Sequence, residues 1–483
     1  MSARFFLKIG ISAAVVAWLS GCAGAQLPPD MSLSEMAHAQ AVQQAPKSIE
    51  ALFEPSNRNQ RIMDIESAIA QAQAANGIIP QSAADHIKAM ADVRYIPLED
   101  LATEYEKTNH RMVALLDVWR THLDAEASNY LHYGVTTVDI YDTVLVLQVR
   151  DTLLILIGDM REIETALLDL ADEHRDTVMI GRTIGQHALP ITFGKKVSVW
   201  AAQNRRNIER AKELLERVES RGVLKGAVGT HLGLGPKGRE IEKDVSKALG
   251  LSDPEPADWH GSRDVFAEYG QVLALTSKSY GAMGEELFRL MGTDIGELSE
   301  RQAASNVGSS TMPHKRNPRM PERVVAHSRK IPRLAEILLD DVANSFERDN
   351  TSAPNRVVEE ISLEASQMMR DTLRMLRVID VDKKRMLENV NRTDGMVLAQ
   401  RIVLFLGGYI DKAEAEERVR EAAKNALDEN ISFKEALMDD PLLAPHLRED
   451  LDTLLDPNGY LGLSAEQVDE TKSYIMQSRD MDR

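Results

Sequence analysis

The feature that most constrains the fold is a series of long segments in which apolar residues recur every three or four positions. The first continues from Val144 to Leu170 and is apolar nearly all round as far as Ile157. Comparable runs cover Phe193 to Val218, Val272 to Met291, Val324 to Leu339 and Val357 to Val378. This spacing predicts helices, and the polar residues of the first run make it too polar for a membrane span. Five long helices with more apolar surface than one subunit covers predict an all-α bundle that forms an oligomer.

The composition limits the kinds of partner. The 483 residues carry a net charge of −18, and this acidic balance argues against nucleic acid and against an anionic membrane surface as partners. An anionic substrate therefore requires a local basic pocket. The single cysteine excludes an internal disulfide, and we find neither an internal repeat nor a metal-ligand spacing.

The N-terminus has the pattern of an export signal. Arg4 and Lys8 precede a short apolar stretch, and Leu19-Ser20-Gly21-Cys22 follows it. This resembles a bacterial lipoprotein signal, in which Cys22 is acylated and becomes the new N-terminus of a periplasmic protein. Ordinary cleavage after Ala23-Gly24-Ala25, releasing a soluble periplasmic protein, is the alternative. A wrongly assigned start codon ahead of a cytoplasmic enzyme is a third interpretation.

The segment from Gly308 to Pro318, which we call the signature segment, carries the most chemistry. Its order is GSSTMPHKRNP, and Glu322 follows. Glycine gives the backbone freedom, and Lys315 and Asn317 supply a cation and an amide, so the segment suits closure over an anion. A serine beside backbone N–H groups and a lysine is suited to remove a proton from carbon next to a carboxylate. By composition alone, the same residues also describe a plain surface connection between helices.

The signature segment resembles the pattern GSSxMPxKxNxxxxE of the fumarase/aspartase superfamily. The resemblance implies that Ser309 is the catalytic base and that Lys315 and Asn317 hold the substrate carboxylate. It also places Ser310 and Met312 among the substrate-binding residues. No cofactor is implied.

A second block, HYGVTTVDIYDT, begins at His132. Its glycine and paired threonines interrupt helix propensity, and Asp139 or Asp142 is predicted to cap the helix that follows. Free N–H groups and two hydroxyls at such a terminus also make an anion site. The block is similar to the superfamily pattern H-[YFW]-G-x-T-S-x-D-x-x-D-T, which implies that Thr136 and Thr137 bind substrate.

Thr108-Asn109-His110 opens another predicted helix. A histidine at this place is often a capping or solvated residue. The T-x-H spacing nevertheless resembles the adenylosuccinate lyase motif whose histidine lies beside the substrate, so His110 is a candidate site residue.

The block GRTIGQHALPITFG, from Gly181, resembles the superfamily pattern G-R-T-H-G-x-H-A-x-P-x-T-F-G. In adenylosuccinate lyases the residue after the threonine is the histidine that acts as general acid. Here it is Ile184, which cannot carry a proton, and the cycloisomerase branch lacks this histidine too. His187, or a residue not identified, then donates the leaving-group proton, unless His187 is a hydrogen-bonded structural histidine. Gln186 is predicted to contact substrate.

Two arginines complete the candidate set. Trp259-His260-Gly261-Ser262-Arg263-Asp264 resembles the W-H-x-x-R-D block of the cycloisomerases, with Arg263 either a carboxylate contact or part of a structural ion pair. Phe346-Glu347-Arg348-Asp349 matches a block in which the arginine, here Arg348, approaches substrate.

These resemblances predict the organisation of the chain. We expect a signal peptide at 1–22, a flexible tether at 23–48, an N-terminal helical domain at 49–131, a central helical bundle at 132–380 and a C-terminal helical domain at 381–483. The resemblance implies a homotetramer in which three subunits contribute to each active site. A lipid on Cys22 would be the only membrane attachment.

The function implied is that of an adenylosuccinate lyase-like enzyme acting on a small anionic carboxylate. Ser309 would start a β-elimination that breaks a carbon–nitrogen or carbon–oxygen bond of a succinyl-type dicarboxylate, giving fumarate or a related unsaturated acid. One alternative is a 3-carboxy-cis,cis-muconate cycloisomerase, favoured by Ile184 and by the block at Trp259. Another is an exported, catalytically dead relative that serves as a binding protein.

Overall fold

The structure is a computed structural model that describes residues 48–222, 224–257, 259, 261–301, 311–312, 314–351 and 354–481. It confirms the all-α class, with two small sheets as additions. Cys22, Ser309 and Ser310 lie outside the described residues.

Helices form three successive groups along the chain. Before the bundle come α1 (Ile49–Phe53), α2 (Pro55–Ala75), α3 (Gln81–Ala89), α4 (Leu98–Thr108), α5 (Arg111–Arg120) and α6 (Ala125–Tyr130). The bundle and its insertions are α7 (Thr137–Glu173), β1 (Val178–Thr183), β2 (Gln186–Thr192), α8 (Phe193–Glu219), α9 (Gly238–Ala248), α10 (Asp264–Leu290), β3 (Leu298–Glu300), α11 (Arg319–Asp340) and α12 (Pro354–Val378). The rest are β4 (Ile379–Val381), α13 (Lys383–Asn391), α14 (Ala399–Leu406), α15 (Lys412–Glu429), α16 (Phe433–Asp439), α17 (Ala444–Leu447), α18 (Leu451–Leu454) and α19 (Ser464–Met481).

The longest of these helices, α7, organises the bundle. Its 37 residues give an unbroken rod about 55 Å long. It starts where Thr136 adopts an extended conformation and the carboxylate of Asp139 accepts a hydrogen bond from the Thr136 N–H, at 2.9 Å. It is buried nearly all round in its middle turns, for example at Val149, Leu153 and Leu156, as its continuous apolar run predicts.

The other bundle helices pack closely because small residues lie at the contacts. Helices α10 and α11 pack along each other, α8 packs on α7, and α12 packs on α11. A Cβ at Gly281 of α10 would lie 2.3 Å from the Ser328 hydroxyl oxygen of α11, so only glycine fits there. Among the described helices, none combines the length and the apolar character that crossing a bilayer requires.

A β-hairpin follows α7, where sequence analysis assigned no secondary structure. Strands β1 and β2 are antiparallel, and Thr183 pairs with Gln186 across a two-residue turn. Both turn residues, Ile184 and Gly185, have positive φ angles of 52° and 76°, which is the geometry of a tight hairpin turn. Strands β3 and β4 form the second sheet, with Leu298 opposite Val381.

The C-terminal part has a small apolar core of its own, but its last helix returns to the bundle. Phe433 and Leu437 of α16 pack against residues of α14 and α15 in this small core. In contrast, Val468 and Ile475 of α19 belong to the main core. The Arg479 Nε also donates a hydrogen bond to the Oε2 of Glu164 in α7, at 2.5 Å.

Candidate active site

One end of α7, which we call the Thr136 end, gathers several of the predicted blocks. The buried carboxylate of Asp139 accepts hydrogen bonds from the backbone N–H groups of Lys225 and Gly226, both at 3.1 Å. These bonds hold the turn that follows Gly226 against the start of α7, beside half-buried Thr136 and Thr137. Burial raises the pKa of Asp139 to about 6, although the same hydrogen bonds favour its charged form.

Arg263 lies at this end and is engaged within the chain. Its Nη1 donates a hydrogen bond to Asp142 Oδ2 at 2.7 Å, and both side chains are buried. Burial raises the pKa of Asp142 to about 6, while Arg263 and, more weakly, Arg348 oppose the rise. Sequence analysis left Arg263 as either a carboxylate contact for substrate or part of a structural ion pair. The ion pair with Asp142 is the contact observed within the chain. Arg348 itself is exposed.

The segments that contain Trp259 and Phe346 are joined by hydrogen bonds. The Trp259 Nε1 donates to the backbone oxygen of Glu347 at 2.7 Å, and the Asn344 side-chain amide donates to the backbone oxygen of Gly261 at 3.2 Å. They border a cavity of about 670 Å³ that Arg263 also lines. The side chain of Phe346 is 96% exposed, and its backbone has φ 58°.

His110 is the N-cap of α5. Its Nδ1 accepts a hydrogen bond from the Val113 N–H at 3.3 Å, and the side chain is exposed. The observed contact of His110 is thus the helix cap that its position in the sequence suggests.

The Thr136 end contains an ion pair that sequence reasoning missed. Glu66 of α2 is 1% exposed, and its Oε1 lies 2.6 Å from the Nδ1 of His132. Burial disfavours the charged imidazole, but the Glu66 carboxylate outweighs it and the pKa of His132 is raised. Nothing in the sequence linked these residues, because 66 positions separate them and Glu66 reads as an ordinary helix former.

The other end of α7, which we call the hairpin end, carries Gln186 and His187 on β2. Gln186 is exposed, and Ile184 at the tip of the hairpin is fully exposed. His187 is half-buried, and its buried Nδ1 has no hydrogen-bond partner among the described residues. Burial, together with the nearby guanidinium groups of Arg182 and Arg392, lowers the pKa of His187.

The described part of the signature segment leads into α11. The side chain of Lys315 is exposed, and its backbone N–H donates to the Met312 backbone oxygen at 3.0 Å. Asn317 is half-buried. The Oε1 of Glu300, in β3, accepts a hydrogen bond from the Met320 N–H in the first turn of α11 at 2.6 Å. The two arms that flank the segment are therefore adjacent.

Within one chain, the predicted site residues at the two ends of α7 lie far apart. Thr137 and Glu173 are separated by the full length of α7, about 55 Å. His187 lies opposite Arg182 in the hairpin, and Arg182 is only five residues beyond Thr177. His187 therefore lies about 20 Å from the end of α7. Thr136 and His187 of one chain are thus at least about 30 Å apart, and a site that contains both needs a second copy.

Comparison with known proteins identifies the family. The family model described as Lyase matches residues 40–332, and the one described as Adenylosuccinate lyase C-terminus matches residues 395–471. The chain is 36% identical over 427 residues to N-acetyl-S-(2-succino)cysteine lyase of Dickeya dadantii, covering 88% of this chain and 93% of that protein. The chain belongs to the fumarase/aspartase superfamily.

Two further superfamily members show the breadth of activities among its relatives. Adenylosuccinate lyase of Methanocaldococcus jannaschii is 33% identical over 424 residues, covering 87% of this chain and 92% of that one. The crystal structure of 3-carboxy-cis,cis-muconate lactonizing enzyme from Pseudomonas putida superposes with a TM-score of 0.81 at 30% identity, over 89% of this chain and 97% of that chain. This chain is accordingly a lyase of the fumarase/aspartase superfamily, with lyase and cycloisomerase relatives.

Proposed function

We propose that this lyase eliminates fumarate from a 2-succino thioether, a thiol that carries a succinyl group on sulfur. Ser309 removes a proton from the carbon next to one carboxylate, and Lys315 and Asn317 hold that carboxylate as its charge increases. The carbon–sulfur bond then breaks, its electron pair leaves with sulfur, and fumarate and a thiolate result. The observation that carries the choice of sulfur is the isoleucine at position 184.

The leaving group decides how much acid catalysis the reaction needs. A thiol has a pKa of about 8.5, so a thiolate departs without a strong proton donor. A nitrogen conjugated to an aromatic ring must be protonated as its bond to carbon breaks. Ile184 cannot donate a proton, and the lowered pKa of His187 leaves its imidazole mostly neutral at pH 7. Such a site suits sulfur better than nitrogen.

The Thr136 end supplies the binding partner for a second anionic group. Thr136 and Thr137 present hydroxyls at the first turn of α7, where free backbone N–H groups favour an anion. The relative from Dickeya dadantii, whose name specifies a succinylated cysteine, supports the substrate class. We propose a homotetramer in which one copy supplies Thr136 and Thr137, a second supplies His187 and a third supplies Ser309 and Lys315.

Two substrates distinguish the possible leaving atoms. Fumarate release, followed by ultraviolet absorbance, is measured with N-acetyl-S-(2-succino)cysteine and with adenylosuccinate. We expect the thioether to be cleaved, and His187→Gln to change its turnover less than about threefold, because thiolate needs little acid catalysis. Any adenylosuccinate cleavage should fall by about 100-fold in the same variant. Cleavage of adenylosuccinate alone would exclude the thioether proposal.

A cycloisomerase is the second candidate, since the lactonizing enzyme has the same fold and the chain lacks a histidine at position 184. Incubation with 3-carboxy-cis,cis-muconate tests it, with loss of diene absorbance as the expected signal. If no dicarboxylate is turned over and Ser309→Ala is indistinguishable from the wild type, the protein is a binding protein.

We also propose that the protein is exported and anchored through a lipid on Cys22, on the strength of the N-terminal pattern. Mass spectrometry of the mature protein tests this proposal. A first residue of Cys22 with an added diacylglyceryl mass is expected, whereas a start after Ala25 would indicate a soluble periplasmic protein. An intact Met1 would indicate that the chain is not processed.

A further inference from the structure

A buried carboxylate lies between the hairpin and the arm that leads to the signature segment. Glu297 is fully buried and lies between the end of α10 and the first residue of β3. An ionised carboxylate in such a place is stable only with several donors around it. The Glu297 carboxylate is surrounded by such donors.

Three hydrogen bonds reach this carboxylate from two other parts of the chain. Arg182 of β1 donates to it with both terminal nitrogens, Nη1 to Oε2 at 3.0 Å and Nη2 to Oε1 at 2.6 Å. The Asn389 side-chain amide of α13 donates to Oε1 at 2.8 Å. The paired geometry of the Arg182 contact fixes direction as well as distance.

Arg182 is also the hairpin residue that faces His187. The two are partners in the β1–β2 register, so the residue that Glu297 holds is the one opposite the candidate histidine. The backbone of Glu297 is fixed as well, since its oxygen accepts from the Asp382 N–H at 3.0 Å. Three residues later, Glu300 binds the first turn of α11 through the Met320 N–H.

The charges around His187 come from three elements. Arg182 on β1 and Arg392 after α13 disfavour its protonated form, and Glu297 ahead of β3 favours it. By neutralising Arg182, Glu297 limits the positive potential at the imidazole.

We propose that Glu297 is a positioning residue of the elimination, whose buried carboxylate clamps Arg182 and so fixes the hairpin that bears Gln186 and His187 to the arm of the signature segment. This inference rests on the proposed function only for its effect on turnover. The effect on His187 itself is measured without substrate.

The deciding experiment measures the protonation of His187 by pH-dependent modification with diethyl pyrocarbonate, which reacts with the neutral imidazole. Cleavage at arginine and lysine yields a peptide from Thr183 to Lys195, or from Asp176 to Lys195 when Arg182 is replaced, and His187 is the only histidine in either, so mass spectrometry reports this residue alone. In Glu297→Gln, a nearly isosteric change, we expect the pKa of His187 to fall by about half a unit or more. In Arg182→Gln we expect it to rise, and these opposite directions identify charge as the cause.

Glu164→Gln is the matched control. Glu164 is also fully buried and also accepts two hydrogen bonds from one arginine, Arg205, at 2.8 and 2.6 Å, with Arg479 as its further donor. Its partners lie on α8 and α19, so we expect its substitution to leave the pKa of His187 unchanged. Equal pKa values in wild type, Glu297→Gln and Glu164→Gln, with circular dichroism showing folded protein, would overturn the proposal.

Turnover of the thioether supplies the second readout. A displaced hairpin weakens the contacts of Gln186 and His187 with substrate, so Glu297→Gln should raise KM about fivefold while kcat stays within about twofold. Glu164→Gln should change neither constant. If the wild type releases no fumarate, the proposed function fails, and the modification experiment still decides the role of Glu297.

Discussion

The two ends of α7 differ in which contacts hold their polar side chains within a single chain. At the Thr136 end, Asp139 accepts from backbone N–H groups and Asp142 is paired with Arg263, although Glu66 Oε2 and Arg263 Nε, which are also buried there, have no hydrogen-bond partner among the described residues. At the hairpin end, the Nδ1 of His187 is buried without a partner among the described residues, and Ile184 is fully exposed in a left-handed conformation.

We therefore expect the two ends to contribute to the active site in different ways. At the Thr136 end, the acidic side chains of Asp139, Asp142 and Glu66 each contact a partner within the chain. The hairpin end exposes the apolar side chain of Ile184 and carries a half-buried imidazole whose buried Nδ1 has no partner among the described residues, an arrangement that suits a part contributed to a site on another copy.

The largest expected effect concerns Ser309, the proposed catalytic base. Ser309→Ala should reduce fumarate release by at least about 1,000-fold, because the proton-abstracting group is lost. The double variant Thr136→Val with Thr137→Val should lose about 100-fold through two missing hydrogen bonds.

Mixing these two variants tests the comparison directly. If sites are shared, subunit exchange should restore up to about one quarter of wild-type activity, because some sites combine only intact parts. Each variant incubated alone is the control. Failure of exchanged mixtures to gain activity would mean that each chain builds its own site.

Removing Arg263 should have the next largest effect, this time on stability. Arg263→Met leaves the Asp142 carboxylate buried without its guanidinium partner, so we expect a loss of about 3 kcal/mol in the free energy of unfolding, measured with urea. Arg348→Met is the control, because this arginine is exposed and should cost less than about 0.5 kcal/mol. Equal losses in the two variants would show that the Thr136 end does not depend on this ion pair.

The pH dependence of stability provides a third test at the Thr136 end. The pKa of Asp139 is about 6 in the folded protein and near 3.8 when unfolded, so between these values the folded state binds more protons. The contribution of Asp139 to stability is therefore present at low pH and is lost as pH rises through about 6. In Asp139→Asn this loss is absent, so urea unfolding between about pH 4 and pH 6 should show stability that falls less, or rises more, than that of the wild type by up to about 3 kcal/mol. An unchanged slope would contradict the assignment.

The smallest expected effects belong to the hairpin tip. Ile184→Asn should raise the free energy of unfolding by about 1 kcal/mol, because asparagine tolerates the left-handed conformation that isoleucine resists. Ile184→His fits the same backbone and adds a proton donor, so we expect about tenfold faster cleavage of adenylosuccinate, with Ile184→Asn as the control. Equal rates in the two variants would place this tip away from the leaving group.

Prediction from sequence succeeded where the determining interactions are local. The long helices follow from apolar residues repeated along one segment. The N-cap of α7 was predicted a few residues too late, at Asp139 or Asp142, because Thr136 is the N-cap and Asp139 instead accepts from its N–H inside the first turn. The hairpin was not predicted, because Gly181, Gly185 and Pro190 interrupt any alternating pattern. Its geometry depends on a turn rather than on strand propensity.

The parts of the site that could not be predicted depend on distant pairs. Arg182 and Glu297 are 115 residues apart, and Glu66 and His132 are 66 apart. Each of these residues looks like an ordinary surface charge until the fold brings its partner close. The candidate roles of Ser309, Lys315 and Asn317 follow from resemblance of the signature segment rather than from any contact, and they stay predictions.

The pairing of Arg479 with Glu164 bears on how the protein can be engineered. Arg479 lies two residues before the end of α19 and pairs with the buried carboxylate of Glu164 in α7. A truncation that removes this arginine would leave that charge with Arg205 alone, whereas an affinity tag joined after Met481 retains both partners. Fusion proteins should therefore keep the chain intact through this last helical turn.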